Sequence, residues 1–115
     1  MYPQLLIRGN LPYEPIRVGG SVDAAIAPVF AQVLTNDVRA LSGGTSRIEL
    51  DLDELELDDG SAVVEAVNAL KELLQEADLV VRHAPQMLAH TLYKTGMLRG
   101  GRLILESPRR EEAHS

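Results

Sequence analysis

Apolar residues recur along the chain at two different periods, which separate predicted helices from predicted strands. The first helical stripe begins at about Ile26, since Pro28 fits a helix only in its first turn. The third helix covers 86–95, and Gly96 follows it as the residue that ends the helix. Between them, a second helix is predicted from the apolar spacing of Val63, Val67, Leu70 and Leu74.

Short β-favouring runs fill the intervals around these helices. Five strands are predicted, at 4–8, 16–18, 48–52, 79–81 and 102–106. In the third of them, Ile48, Leu50 and Leu52 alternate with acidic residues, which is the period of a strand with one face in water. Because a strand that is buried on both faces shows no such alternation, part of one sheet face is predicted to be open to solvent.

The predicted elements follow one another in the order β-β-α-β-α-β-α-β. Strands that alternate with helices indicate parallel pairing through right-handed crossovers. The predicted fold class is therefore α/β, with a mixed, mostly parallel sheet. At 115 residues the chain has room for one domain, which we place at 1–106, and the charged segment 107–115 is predicted to be a polar C-terminal tail.

Composition and charge narrow the classes of partner. Hydrophobic residues make up 45% and aromatic residues only 3% of the chain, so the predicted core is aliphatic. The chain has no cysteine, which excludes disulfides and thiolate chemistry and suits a cytoplasmic protein. A net charge of -6 disfavours nucleic acid. We expect no secretory signal and no membrane insertion, since no apolar stretch approaches about 20 residues. A protein or a small molecule remains as the expected partner.

Three loops are candidates for a binding site. In open α/β sheets, sites lie beyond the carboxyl ends of the strands, and the segments 20–23, 58–61 and 82–85 follow three predicted strands. If these strands are parallel neighbours, the three loops share one rim of the sheet. The partner-binding residues predicted on this rim are Asp23, Asp58, Asp59, Gly60, Ser61 and His83.

Ser61 has two compatible interpretations. As the N-cap of the second helix, its hydroxyl would accept a hydrogen bond from a free backbone N–H of the first turn. As a phosphorylation site, it would carry negative charge at the end of a helix that stabilises such charge. Asp59 is an equally good N-cap, and in that case Ser61 lies in the first turn.

The other polar clusters do not form a persuasive catalytic or metal site. The acidic run 49–59 fails the calcium-loop template, because leucines stand where ligands are required, and a solvated face is the favoured interpretation. A small phosphatase using Asp51 and Asp53 is the weakest of the functional hypotheses. The glycine pairs at 19–20, 43–44 and 100–101 lack the lysine of a phosphate-binding loop and are predicted to be turns. We expect no cofactor.

Three segments together resemble the STAS domain, which is shared by anti-sigma-factor antagonists and the C-termini of sulfate transporters. The segment 20–28 resembles the family's Gly-x-Leu-Asp approach to the first helix. The segment 51–62 resembles its strand followed by Asp-Ser-Ser-Gly, and 92–97 resembles the Leu-x-x-Thr-Gly-Leu end of the third helix. The three segments occur in the family's order and cover most of the chain.

This resemblance implies a non-enzymatic regulator that binds other proteins. It places Ser61 on the family's phosphorylatable serine, and it implies a serine kinase that is also an anti-sigma factor as the partner. Gly60 and Ala62 stand where the family has serine and glycine, which favours an alternative: an accessory subunit of a lipid-transport ABC system, bound to its ATPase, or a signalling scaffold, neither switched by phosphate.

Overall fold

A computed structural model describes residues 6–8, 15–43 and 46–106 of the chain. The strands are β1 (Leu6–Arg8), β2 (Ile16–Val22), β3 (Arg47–Leu57), β4 (Asp78–Arg82) and β5 (Leu103–Glu106). The helices are α1 (Ala27–Ser42), α2 (Gly60–Leu74) and α3 (Gln86–Lys94). The predicted α/β class and the predicted order of elements are both confirmed. The predicted tail at 107–115 lies outside the described residues.

The five strands form one sheet in the order β1-β2-β3-β4-β5. β1 is antiparallel to β2, and the other neighbours are parallel. Because each parallel strand lies next to the previous one and such crossovers are right-handed, the three helices cover the same face of the sheet. We call this the inner face and the opposite one the outer face.

The two sheet faces differ as the alternation in β3 predicted. On the inner face, Ile48, Leu50 and Leu52 are buried. On the outer face, Glu49 and Asp51 are partly exposed and Asp53 is exposed. The prediction of a strand with one solvated face is therefore confirmed.

The core lies between the inner face and the helices and is almost wholly aliphatic. Phe30 of α1 is the one aromatic side chain among the described buried residues. Its largest fully buried neighbours in the same cluster are leucines, namely Leu50, Leu55, Leu70, Leu73, Leu79, Leu88, Leu92 and Leu103. The low aromatic content predicted this composition.

The prediction that Gly19 and Gly20 form a turn is wrong, because both lie inside β2. Across from them, β3 contains a bulge, since Arg17 pairs with Asp51 whereas Gly19 pairs with Glu54. A Cβ atom at Gly19 would lie 3.1 Å from the Cβ of Glu54. Glycine is therefore favoured at this position by the close approach of the bulged strand, and β2 continues through it.

The other predicted glycine turns agree with the structure where it is described. Gly96 has a φ of 78° directly after Thr95, the C-cap of α3, so it ends the helix as predicted. Gly43 is the C-cap of α1, and residues 100–101 lie in the turn before β5. Residue 44 lies outside the described part of the chain. Among the described residues, no helix has the length and apolarity needed to cross a bilayer.

Candidate functional site

The carboxyl ends of β2 and β3 lie side by side and position the candidate site. Val22 and Leu57 are partners in the last row of this parallel pair. The ladder continues one step further, since the backbone N–H of Asp58 donates to the carbonyl of Val22 at 2.8 Å. Asp23 and Asp58 therefore leave the sheet next to each other. We call the residues Asp23, Asp58, Asp59, Gly60 and Ser61 the acidic rim.

The Asp59 carboxylate joins the two loops of the acidic rim. Its Oδ1 accepts from the backbone N–H of Ala62 at 3.1 Å, and its extended backbone makes it the N-cap of α2. Its Oδ2 accepts from the backbone N–H of Ala24 at 2.9 Å, in the loop after β2. Of the two capping alternatives, the structure selects Asp59, and Ser61 lies in the first turn of α2.

Asp23 shapes the chain that enters α1. Its Oδ1 accepts from the backbone N–H groups of Ala25 and Ile26, at 3.0 and 3.2 Å. Ile26 is the N-cap of α1, although its own side chain makes no capping hydrogen bond. Asp23 therefore closes a side-chain turn over the residues before α1, and its carboxylate is held close to the start of the helix.

Ser61 is exposed on the first turn of α2, and an exposed apolar side chain stands beside it. Val64 lies three residues further along the helix, a spacing that places two side chains on the same helical face. Val64 is 55% exposed. Val64 was not among the predicted site residues, because an exposed valine next to the buried stripe of a helix has no distinct sequence signal.

The acidic rim concentrates negative charge at one end of the molecule. Asp23 and Asp58 are exposed, Asp59 is partly exposed, and the five rim residues include no lysine or arginine. The amino end of α2 carries a partial positive charge that favours the Asp59 carboxylate. The carboxylates of Asp23 and Asp58 leave a net negative surface beside the Ser61 hydroxyl.

His83 follows the carboxyl end of a strand parallel to β3, as predicted, but it does not reach the acidic rim along the sheet. β4 ends at Arg82, which pairs with Asp51, whereas β3 runs six residues further to Leu57. The bulge takes up one residue of this extension, so at about 3.3 Å per residue His83 lies some five steps, or roughly 16 Å, from Asp23 and Asp58. The sequence alone does not show that β3 extends beyond the carboxyl end of β4, because each strand is followed by polar residues.

His83 contacts the outer face of the sheet instead. Its Nδ1 donates to the Asp51 carboxylate, with 3.0 Å between Nδ1 and Oδ1, and its backbone has a φ of 58°, which is uncommon for a residue other than glycine. The same Asp51 oxygen accepts from the backbone N–H of Asp53 at 3.0 Å. Through these two hydrogen bonds, Asp51 stabilises the end of β4 and the bulge of β3.

The environment of Asp51 lowers the pKa of its carboxyl group. Partial burial raises the pKa. The hydrogen bonds from His83 and from the Asp53 backbone, together with the charges of His83 and Arg17, outweigh that burial and bring the pKa below its ordinary value. The side chains around Asp51 line a shallow depression of about 140 Å³, namely Arg17, Val18, Asp53 and Glu54.

Replacing His83 by alanine is expected to raise the pKa of Asp51, because the strongest interaction that lowers it is lost. A group whose pKa is lower in the folded state stabilises the fold above its unfolded pKa of about 4 and loses that contribution as the pH falls through the lower, folded pKa. The unfolding free energy of His83→Ala should therefore decrease less than that of the wild type as the pH falls through this range. Carboxyl-carbon NMR titration and urea denaturation between pH 3 and 6 measure both effects.

His90→Ala is the matched control for this prediction, since His90 is exposed on α3. It should leave the Asp51 titration unchanged. An Asp51 carboxyl that titrates identically in the wild type and in His83→Ala contradicts the assigned contact.

The described residues contain no group of three or more histidine, aspartate or glutamate side chains arranged to hold a metal ion. No protein-family model matches the chain, and no curated protein matches it. The functional proposal therefore depends on the geometry of the acidic rim together with the sequence resemblance.

Proposed function

We propose that this protein is a non-enzymatic regulatory module of the STAS type, which binds a protein partner through the acidic rim. The observation that carries the proposal is the double contact of Asp59, which bonds both the loop after β2 and the first turn of α2. A surface that is held rigid before binding loses little conformational freedom when a partner docks. Such preorganisation is what a protein-docking surface requires.

The chemistry of the acidic rim favours a partner with basic side chains around an apolar contact. Asp23 and Asp58 supply negative charge for steering and specificity. Val64 supplies an apolar contact next to Ser61, and depletion of charge at the centre with polar groups around it is typical of interface anatomy. A serine kinase that is also an anti-sigma factor, the partner implied by the resemblance, is the first candidate. Such a complex forms in the cytoplasm.

Phosphorylation of Ser61 would act as the switch. A phosphate adds a charge of about -1.5 to -2 to a rim that already carries three carboxylates. It would also place a large, hydrated group beside Val64, which has to lose water when it docks. The second change opposes binding, because the phosphate would have to lose its water at the apolar contact, where no basic side chain of the partner faces it. The modified protein is therefore the released form.

Replacing Ser61 by aspartate is expected to weaken partner binding by about tenfold or more, since one added charge at an interface changes affinity by at least about 1.4 kcal/mol when it is desolvated. The measurement uses a serine kinase of the anti-sigma-factor type. Calorimetry gives its binding to wild type, Ser61→Ala and Ser61→Asp, and incubation with ATP followed by mass spectrometry maps the phosphate. Ser61→Ala should bind like the wild type and remain unmodified.

Ser42→Asp is a matched control, because Ser42 lies at the opposite end of α1. It adds the same charge and should leave the affinity unchanged. A kinase that binds the rim but never modifies Ser61 rejects the switch while leaving the docking surface in place. Unchanged binding in an Asp58→Arg variant rejects the docking surface itself.

A non-switching module is the second candidate, and the capping arrangement favours it. The Asp59 carboxylate already occupies the N-terminal N–H of Ala62, so a phosphate on Ser61 would meet a carboxylate instead of a free amide there. The partner is then the ATPase of a lipid-transport ABC system or a component of a signalling scaffold. Co-purification with a membrane ATPase that is equally strong for wild type, Ser61→Ala and Ser61→Asp distinguishes this candidate from the first.

A further inference from the structure

β5 forms one edge of the five-stranded sheet, and half of its peptide groups face away from β4. The carbonyls of Arg102 and Glu106 accept from the backbone N–H groups of Leu79 and His83, at 2.8 and 3.2 Å. Because successive peptide groups of a strand point in opposite directions, those of Leu103 and Leu105 point out of this edge. No other described strand pairs with it. An edge of this kind is a template for pairing with another chain.

The side chains that β5 and its preceding residue present on the outer face form a short symmetric pattern. Arg102, Ile104 and Glu106 follow one another at every second position, so they share one face. Ile104 is 42% exposed, so a large apolar side chain lies at the open edge of the sheet. The pattern along the edge is therefore positive, apolar, negative.

This pattern is complementary to its own two-fold image. In an antiparallel pairing centred on Ile104, each isoleucine faces the isoleucine of the other copy, and each Arg102 faces the Glu106 of the other copy. Position 104 is then a non-hydrogen-bonded pair, in which side chains come closest. The outward peptide groups of Leu103 and Leu105 form the two hydrogen-bonded pairs on either side of it. A self-complementary patch is what a two-fold dimer requires.

The charges of the neighbouring strands continue the same alternation across the proposed joint. One outer row of the sheet is Arg17, Asp51, Arg82 and Glu106, and another is Arg47, Asp78 and Arg102. In the proposed dimer, Glu106 at the end of the first row in one copy lies next to Arg102 at the end of the second row in the other copy. Positive and negative side chains therefore alternate along the whole joined row. A parallel pairing places Arg102 opposite Arg102 and breaks the alternation.

Glu106 retains capacity for a further ionic contact. Its Oε1 lies 3.3 Å from Nε of Arg82, yet that nitrogen is buried and makes no hydrogen bond within the described part of the chain. Arg102 bonds Asp78 through Nε at 2.9 Å, a bond that does not use its two terminal nitrogens. An ion pair between Glu106 of one copy and Arg102 of the other therefore adds a contact and leaves the contacts of these residues within each copy intact.

We propose that β5 pairs antiparallel with β5 of a second copy of this chain, centred on Ile104, and joins two five-stranded sheets into one of ten strands. The paired segment is short, so the interface is smaller than those of stable dimers and the dimer forms in a concentration-dependent way. The acidic rim lies at the carboxyl ends of β2 and β3, on the far side of the sheet, and stays open in the dimer.

Disulfide trapping tests the register directly, because the chain has no cysteine of its own. The Cα atoms of a non-hydrogen-bonded antiparallel pair lie about 4.5 Å apart, within the range that a disulfide spans. Ile104→Cys, oxidised with diamide, is expected to give a covalent dimer at dilution. Val64 is more exposed than Ile104, at 55% against 42%, so Val64→Cys presents an accessible thiol and should stay monomeric at the same concentration. Equal trapping of both variants contradicts the proposal.

Charge reversal provides a second test that does not use cysteine. Arg102→Glu sets Glu opposite Glu106, and Glu106→Arg sets Arg102 opposite Arg, so each variant alone should self-associate about tenfold or more weakly than the wild type in sedimentation velocity. Mixed together, the two variants regain both opposite-charge pairs and should form a heterodimer. A wild type that remains monomeric at millimolar concentration, or a mixture that does not associate, overturns the proposal and leaves the edge to another protein's strand.

Discussion

Replacing Phe30 by alanine is expected to lower the free energy of unfolding by about 3 to 5 kcal/mol. Phe30 is fully buried in the first turn of α1. The main apolar cluster lies between the sheet and the three helices that cover one of its faces, and Phe30 is the one buried aromatic ring among the described residues. Typical domains are stable by only about 5 to 15 kcal/mol, so this variant should approach the limit of folding.

Val29→Ala is the matched control, because the two residues are adjacent on the same turn and Val29 is 49% exposed. It should change stability by no more than about 0.5 kcal/mol. Urea denaturation followed by circular dichroism measures both variants. A Phe30→Ala protein that loses less than about 1 kcal/mol would show that the core under the acidic rim is loosely packed.

The same region of the chain shows how far its sequence determines the fold. Helical spacing predicted a start at about Ile26, and the structure has Ile26 as the N-cap with Pro28 in the first turn. The alternation of Ile48, Leu50 and Leu52 predicted one solvated sheet face correctly. Both predictions depend on the periodic burial of neighbouring residues, which is local in sequence and therefore readable from it.

The strand lengths were not predictable from the same pattern. β2 continues through Gly19 and Gly20, which break the apolar period, because the bulge of β3 brings Glu54 close to Gly19. A glycine pair in a sequence is typical of a turn. Only the approach of a strand about 35 residues away in the chain makes it part of a strand here, and local patterns do not contain that information.

The acidic rim was predictable in part for a related reason. The fold class places loops after β2 and β3 at one edge, so Asp23, Asp58 and Ser61 were correctly brought together. His83 was placed with them on the assumption that parallel strands end in the same row. The register shows β3 extending six residues beyond β4, and relative strand length is set by packing between elements, not by either strand's own residues.

The Asp59 contact with Ala24 is the feature of the rim with the greatest effect on its shape. Both oxygens of the carboxylate accept a backbone N–H, one from each loop. An N-cap is visible in sequence as an acidic residue before a helical stripe. Its second bond, to a residue 35 positions earlier, depends on the juxtaposition of the two strand ends and has no sequence signal.

Replacing Asp59 by alanine is expected to destabilise the protein by about 2 kcal/mol, the upper end of the cost of losing an N-cap, because a second charge-assisted hydrogen bond is lost with it. Asp59→Asn retains one oxygen acceptor and should lose about half as much, since its amide nitrogen cannot accept from the second N–H. Chemical denaturation gives the two stabilities, and amide hydrogen exchange at Ala24 and Ala62 reports which bond has opened.

The exchange pattern distinguishes a cap from a connection between loops. If Asp59 only caps α2, exchange in Asp59→Ala accelerates at Ala62 while Ala24 is unaffected. If it holds the acidic rim together, both amides exchange faster, and binding of the proposed partner weakens together with them even though Ser61 is intact. Asp37→Ala, which removes an exposed carboxylate from the middle of α1, should change neither amide, because its side chain lies away from both loops. Faster exchange at Ala24 together with unchanged partner binding would show that the Asp59 contacts stabilise the fold but do not contribute to binding. The main support of the docking proposal would then be lost.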